Sequence, residues 1–298
     1  METRSLEVLL ELARQGSMRN VADSLGTTTS TVSQQIAALA RETGTSLLEP
    51  AGRGVRLTPA GRRLVDHAVT ILAAVGAATA ELDPEAEPEG TVRVAGFATA
   101  VRKVLMPVVG ILAGTHPRVK IEVREHEPAE ALALLAADAV DLALTYDYNL
   151  APDSNGSTYD SLHLWSTPWS LGMPEAAAVR GTAPEVFRLL KDSDWIGNSR
   201  NRADEEVLRL ISSMAGFEPR IRHQADSLDL VEDLILAGMG IGLLPADWQP
   251  RNGVALIPLR EPEVVVRAYA RTRHGNNRWP ALAAVLAGVT GAVESPGD

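Results

Sequence analysis

The stretch "GSMRNVADSLGTTTSTVSQQIAALARETG", Gly16 to Gly44, constrains this chain more than any other because it marks its own boundaries. Upstream, Leu6, Leu9, Leu10 and Ala13 form one helical stripe that Gly16 stops. Ser17 caps a second helix around Val21, Ala22 and Leu25, which Gly26 closes. Thr28 caps a third with the inward stripe Val32, Ile36 and Leu39, and Gly44 ends it. Two short helices joined by a tight glycine turn are a helix-turn-helix. In such a unit the start of the second helix enters the DNA major groove. Side chains there must be short, so that the backbone approaches, and polar, to meet base edges and phosphates. Thr28, Thr29, Ser30, Thr31, Ser33 and Gln34 meet both needs. Gln bonds adenine bidentately, and a Thr methyl touches a thymine methyl. The same run also suits the solvated first turn of an ordinary bundle helix, so this stretch alone leaves both readings open.

The next segment, "LLEPAGRGVRLTPAGRRL", reads as two short strands joined by a Gly52-Arg53-Gly54 turn. A helix-turn-helix followed by a basic hairpin is a winged helix. Its tip reaches the DNA backbone or minor groove through Arg53, with Arg56 behind it. The formal net charge of -10 argues against nucleic acid. That average hides an asymmetry: residues 1–75 hold eight Arg against seven Asp or Glu, and 51–63 hold four Arg and no acid. Thr58-Pro59 then opens a longer helix, with Thr as cap and Pro at the first position. Its apolar residues Leu64, Ala68, Ile71, Val75, Ala78 and Leu82 alternate spacings of four and three, a coiled-coil seam that implies a dimer or packing against the same chain.

At this point residues 5–72 resemble the LysR-type transcriptional regulators. The helix–Gly-Ser–helix order, the "VSQQIAAL" core and "GRGVRLTPAG" carry the resemblance, and a weaker likeness continues toward the C-terminus. The resemblance implies an α/β multidomain chain. It comprises an N-terminal winged helix-turn-helix (1–58), a long dimerisation helix (59–83), a hinge (84–90) and a C-terminal sensor (91–298). The sensor has two α/β subdomains like those of periplasmic solute-binding proteins, one of about 91–160 with 263–298 and the other of about 161–262. The resemblance also implies a homodimer, commonly assembled to a homotetramer, on an interrupted palindromic promoter site. Departures are Thr29-Ser30 in place of Gln-Pro, Gln34 in place of Arg, and Leu48-Glu49-Pro50 in place of Phe-Glu-Arg. The last removes a cation from the phosphate face.

Beyond the acidic linker "DPEAEPEG", strands alternate with helices, which implies a parallel sheet covered on both faces. Ligands in such folds sit at the carboxyl ends of strands, between subdomains. Those ends offer Phe97, Ala98 and Thr99; Tyr146 and Asp147; Asn198, Ser199, Arg200 and Arg202; and Ser227. Hydroxyls at helix starts and an arginine clamp favour a small anionic effector, with Phe97 and Trp169 as the apolar wall. The hydroxyls equally suit plain helix capping.

Other chemistries find little support. The chain has no cysteine, which removes thiol catalysis, disulfides and cysteine metal sites. Six scattered His show no i,i+4 pair and no acid at ligand spacing. "GMGIG" lacks dinucleotide spacing and reads as a helix end, so no cofactor is expected. No nucleophile elbow is present. An enzyme fused to a DNA-binding head is therefore the weakest reading. An effector-independent assembly protein with a degenerate pocket ranks above it. No uncharged apolar run of about 18 residues or secretory pattern occurs, so a cytoplasmic protein without membrane partners is expected and the sequon at Asn155 reads as an ordinary loop.

Overall fold

A computed structural model describes residues 1–52, 54–83, 87–153, 158–175 and 179–294. The opening helices form as their punctuation dictates: α1 (Thr3–Gln15), α2 (Met18–Ser24) and α3 (Thr29–Thr43). Gly16 and Gly44 take left-handed backbone at φ 65 and 66°. The Ser17 hydroxyl accepts from the Asn20 amide, and Thr28 Oγ1 accepts from the Thr31 amide at 3.1 Å. Leu6, Leu9, Val21, Val32, Ile36 and Leu39 bury together as one core. β1 (Leu48–Ala51) and β2 (Gly54–Leu57) pair antiparallel as the wing. α4 (Pro59–Leu82) follows, its first turn capped by Thr58 Oγ1 on the Gly61 amide at 3.0 Å. Gly61 is required there, because a Cβ would stand 2.3 Å from the Leu47 carbonyl oxygen.

The rest is one curled sheet with helices on its faces. In chain order come β3 (Gly90–Gly96), α5 (Ala98–Ala100), a π turn at Val101–Leu105, α6 (Met106–Thr115), β4 (Val119–Glu125), α7 (Pro128–Ala136) and β5 (Leu142–Tyr148). Next are β6 (Asp160–Pro174), α8 (Ala183–Leu189), β7 (Asp194–Gly197), α9 (Ala203–Ala215), β8 (Arg220–Gln224), α10 (Leu228–Leu236), β9 (Ile241–Pro245) and β10 (Val254–Pro258). β11 (Val265–Thr272) and α11 (Pro280–Glu294) close the chain. The strand order is β4-β3-β5-β11-β6-β9-β7-β8, with β10 also on β6.

Parallel pairing holds within β4-β3-β5 and within β9-β7-β8, whereas β6, β10 and β11 run antiparallel to their neighbours. The expected all-parallel sheet is thus mixed. The reason is β6, whose residues 160–168 pair with β11 and whose residues 169–174 pair with β9 and β10. One 15-residue strand therefore passes from the first lobe into the second. Each lobe has its own core, around Val94, Leu105 and Leu282 in lobe I and around Phe187, Trp195 and Leu208 in lobe II.

Two helical stretches, 59–82 and 98–115, are long and apolar enough to cross a membrane. Both bury side chains in their own chain: Val65, Ala68 and Val69 in the head, and Val104, Leu105 and Val108 in lobe I.

Candidate DNA-reading face and interlobe cleft

The start of α3 divides its polar residues by task. Thr28 is spent on the cap, and its hydroxyl also bonds that of Thr31 at 2.9 Å. Thr29, Ser30, Ser33 and Gln34 are exposed, opposite the buried Val32 and Ile36. A helix end that buries one face and presents short polar side chains on the other has the shape that major-groove entry requires. On the wing, Arg56 Nε donates to Glu49 Oε1 at 2.7 Å, and both side chains are exposed. Exposed pairs are worth ~0–1 kcal/mol, so a phosphate can replace Glu49. Arg53 lies outside the described residues, as do Asn155 and positions 84–86 of the expected hinge.

The expected seam on α4 separates into two parts. Ala68 is fully buried in the head core, and Leu64 and Ile71 pack partly against that core. Ala68 is thus unavailable to a second chain, a correction to the expected seam. Heptad spacing records an apolar stripe but not which surface covers it. Val75, Ala78 and Leu82 are exposed, Leu82 to 87%.

Between the lobes an aromatic ladder crosses from one core to the other. Phe97 meets Tyr146 edge-on at 4.8 Å, Tyr146 meets Tyr148 at 6.3 Å, and Tyr148 meets Trp169 at 5.7 Å. Tyr146 donates to Glu127 Oε2 at 3.1 Å and receives from Asn201 Nδ2 at 3.1 Å, which links lobe I to lobe II. Ala98 is half-buried, and Thr99 and Ser227 are exposed at the starts of α5 and α10, where Ser227 makes no side-chain cap. Asn198 is buried and committed, its Oδ1 accepting from the Asp204 amide at 3.0 Å. Ser199 donates to Asp226 through both amide and hydroxyl. Arg202 is exposed at the start of α9.

Arg200, expected as a carboxylate clamp, lies among carboxylates of its own chain. Its guanidinium lies 3.2 Å from Asp226, 3.5 Å from Glu125, 3.6 Å from Glu130 and 3.9 Å from Glu127. The arginine offered as a carboxylate clamp is already held by its own chain's carboxylates, and the surrounding charge is negative. Sequence reasoning missed this group because Arg200 and Asp226 lie far along the chain from the three glutamates. The run "EHEPAE" at the end of β4 was the available signal. His126 Nδ1 also lies 3.3 Å from Glu130, so one histidine does have an acid four residues on, against the expectation from the sequence.

The electrostatics record the excess. Burial, and then the Asp226 charge, push the Glu127 carboxyl up to about 7. Burial pushes Asp204 up to about 6, against the hydrogen bond from Tyr148. Burial also acts to raise Asp226, but hydrogen bonds from Ser199 and Arg200 prevail and hold it below its ordinary value.

Comparison with known proteins agrees with both halves. Residues 3–62 match the family described as bacterial regulatory helix-turn-helix protein, lysR family, and residues 85–293 match the LysR substrate binding domain. The transcriptional dual regulator GltC of Bacillus subtilis is 28% identical over 271 residues, covering 89% of this chain and 88% of GltC. The DNA-binding transcriptional dual regulator OxyR of Escherichia coli is 28% identical over 276 residues, covering 88% and 86%. Among solved structures, a full-length OxyR variant from Pseudomonas aeruginosa has a TM-score of 0.72 at 17% identity, covering 99% and 97% of the two chains. Full-length LysG of Corynebacterium glutamicum, solved with Arg as bound effector, has a TM-score of 0.65 at 19% identity, covering 99% of each.

Proposed function

This chain belongs to the LysR family of DNA-binding transcriptional regulators, and from that premise we propose which residues read DNA and what its sensor detects. It is a regulator, not an enzyme, with a helix-turn-helix domain and an effector-binding domain. Thr29, Ser30, Ser33 and Gln34 meet base edges and phosphates at the start of α3, and Arg53 and Arg56 meet the backbone from the wing. The domain limits are those read from the sequence, with the passage between lobes moved to the middle of β6. Two chains pair along α4 through Val75, Ala78 and Leu82, and two such dimers form the tetramer. The protein works in the cytoplasm.

The effector is a small cation bearing an amine or guanidinium, bound in the cleft between the lobes. One observation carries this reading: Arg200 sits among Glu125, Glu127, Glu130 and Asp226, drawn from both lobes. A free guanidinium or ammonium that displaces Arg200 keeps the attraction and changes the geometry between lobes. LysG, of the same fold, is solved with Arg bound. The peroxide named for several relatives does not transfer by thiol chemistry, since this chain has no cysteine.

Thermal shift against matched amines and carboxylates tests the reading. Agmatine, arginine and putrescine should stabilise the protein, and Glu125→Gln with Asp226→Asn should abolish the effect. Stabilisation by carboxylates alone would overturn it.

A further inference from the structure

α7 has one end in the cleft and the other beneath the DNA-binding head. Its N-cap, Glu127, receives the Tyr146 hydroxyl and faces Arg200. Just past its last turn, Asp138 takes left-handed backbone at φ 57° and is 1% exposed. Glycine or asparagine ordinarily fills such a position. The aspartate here turns its carboxylate toward the head, where Oδ2 accepts from Arg14 Nε of α1 at 2.8 Å.

The surroundings make this carboxylate a junction. Arg273 Nη1 lies 3.1 Å from Asp138 Oδ1, and Arg273 also pairs with Asp66 of α4. Asp141, three residues on, binds Arg93 at 2.7 and 2.9 Å and lies 3.7 Å from Arg14 Nη2. Thr70 of α4 donates to the His274 carbonyl at 3.0 Å. The head, the long helix and lobe I therefore meet around one buried acid. Burial raises the Asp138 pKa against the pull of Arg14 and Arg273, so the pair depends on close geometry.

α7 is the element that joins the two ends. Its nine residues span ~14 Å at 1.5 Å rise per residue. It packs on Ala95 and Ala143 through the fully buried Ala131 and Leu135, so a displacement at its N-terminal end is carried along the sheet face to its C-terminal end. A charge-assisted hydrogen bond of 2.8 Å is lost when its partners separate by an ångström.

We propose that α7 relays the state of the cleft to the DNA-binding head. A change of charge at Glu127 shifts the helix, and Asp138 then keeps or releases Arg14 of α1. The relay rests on the cleft reading given above, and its test is independent of any ligand.

The absence of native cysteine allows spin labels at Asn20→Cys on α2 and Lys120→Cys on β4, both exposed. Pulsed dipolar distances are read in the full chain, diluted into unlabelled chain so that only distances within one protomer count. The parent should give one narrow distance. Asp138→Asn, which keeps the volume and removes the charge, should broaden it. Arg200→Ala, which empties the cleft of its tethered cation, should broaden it too, and Glu127→Gln is the milder variant at the same end. Combined with Asp138→Asn, either should add nothing. An unchanged distance in both cleft variants, or full additivity with Asp138→Asn, would overturn the relay. Thermal shift with agmatine on the same variants separates the two ideas. Agmatine binding without a distance response removes the relay alone. A non-additive distance response without agmatine binding supports the relay and removes the cation reading alone.

Discussion

Tyr148 donates its phenol hydrogen to Asp204 Oδ1 at 2.6 Å, tying β5 of lobe I to α9 of lobe II at a point where neither side chain meets much water. The bond serves a buried carboxylate, so its loss leaves that acceptor unsatisfied. Tyr148→Phe should lower the unfolding free energy by about 1–3 kcal/mol. Urea denaturation followed by tryptophan fluorescence measures this, and an unchanged midpoint would contradict it.

A second expectation concerns pH. Glu127 and Asp204 have folded values of about 7 and about 6, above their ordinary 4.5 and 3.8. A raised carboxyl value means that the fold favours the protonated form. The associated stability is complete at acid pH below the ordinary values. It is lost as pH rises, through about 6 for Asp204 and about 7 for Glu127. Melting temperature should therefore fall between about pH 5 and 8 at fixed ionic strength. Glu127→Gln should flatten the upper part of that fall. A melting temperature that rises over this range would contradict the assignment.

The dimer surface gives a third. Val75→Glu and Leu82→Glu place charge on the exposed part of α4 and should shift sedimentation toward monomer while the melting temperature holds. Ala68→Glu should instead unfold the head, because Ala68 is fully buried in its own core. Retention of the assembly in the Leu82 and Val75 variants would move the interface elsewhere.

Much of this was legible because the signals are local. Ser17, Thr28 and Thr58 cap α2, α3 and α4 as the sequence assigns them, and Gly16 and Gly44 end α1 and α3, since a cap depends on a few neighbouring residues. The crossing strand β6 was less legible. Its first half opens on Asp160-Ser161 and ends on the polar pair Ser166-Thr167 before Pro168, which breaks the alternation, so only the later Trp169–Met173 stretch reads as a strand. The fate of Ala68 was hidden because one apolar stripe serves a neighbour in the same chain or in another equally well. The environment of Arg200 was hidden for a stronger reason. Glu125, Glu127 and Glu130 stand together in the sequence, but Arg200 and Asp226 of the other lobe meet them only after both lobes have folded.

The DNA-reading face gives the last expectation. Gln34→Ala should relax preference at one base pair and cost about 1–3 kcal/mol on the preferred sequence. Arg56→Ala should weaken all sequences alike and reduce the salt slope by about one. A change of sequence preference in Arg56→Ala would contradict the wing assignment.

The most direct test of a sequence-reading α3 is fluorescence anisotropy of the full chain on DNA selected by it from a random pool, against the same bases scrambled, across a range of salt. The account predicts tight binding to the selected sequence, steep weakening with salt on both, and a discrimination that shrinks in Gln34→Ala. Equal affinity for selected and scrambled DNA, or discrimination untouched by Gln34→Ala, would contradict it.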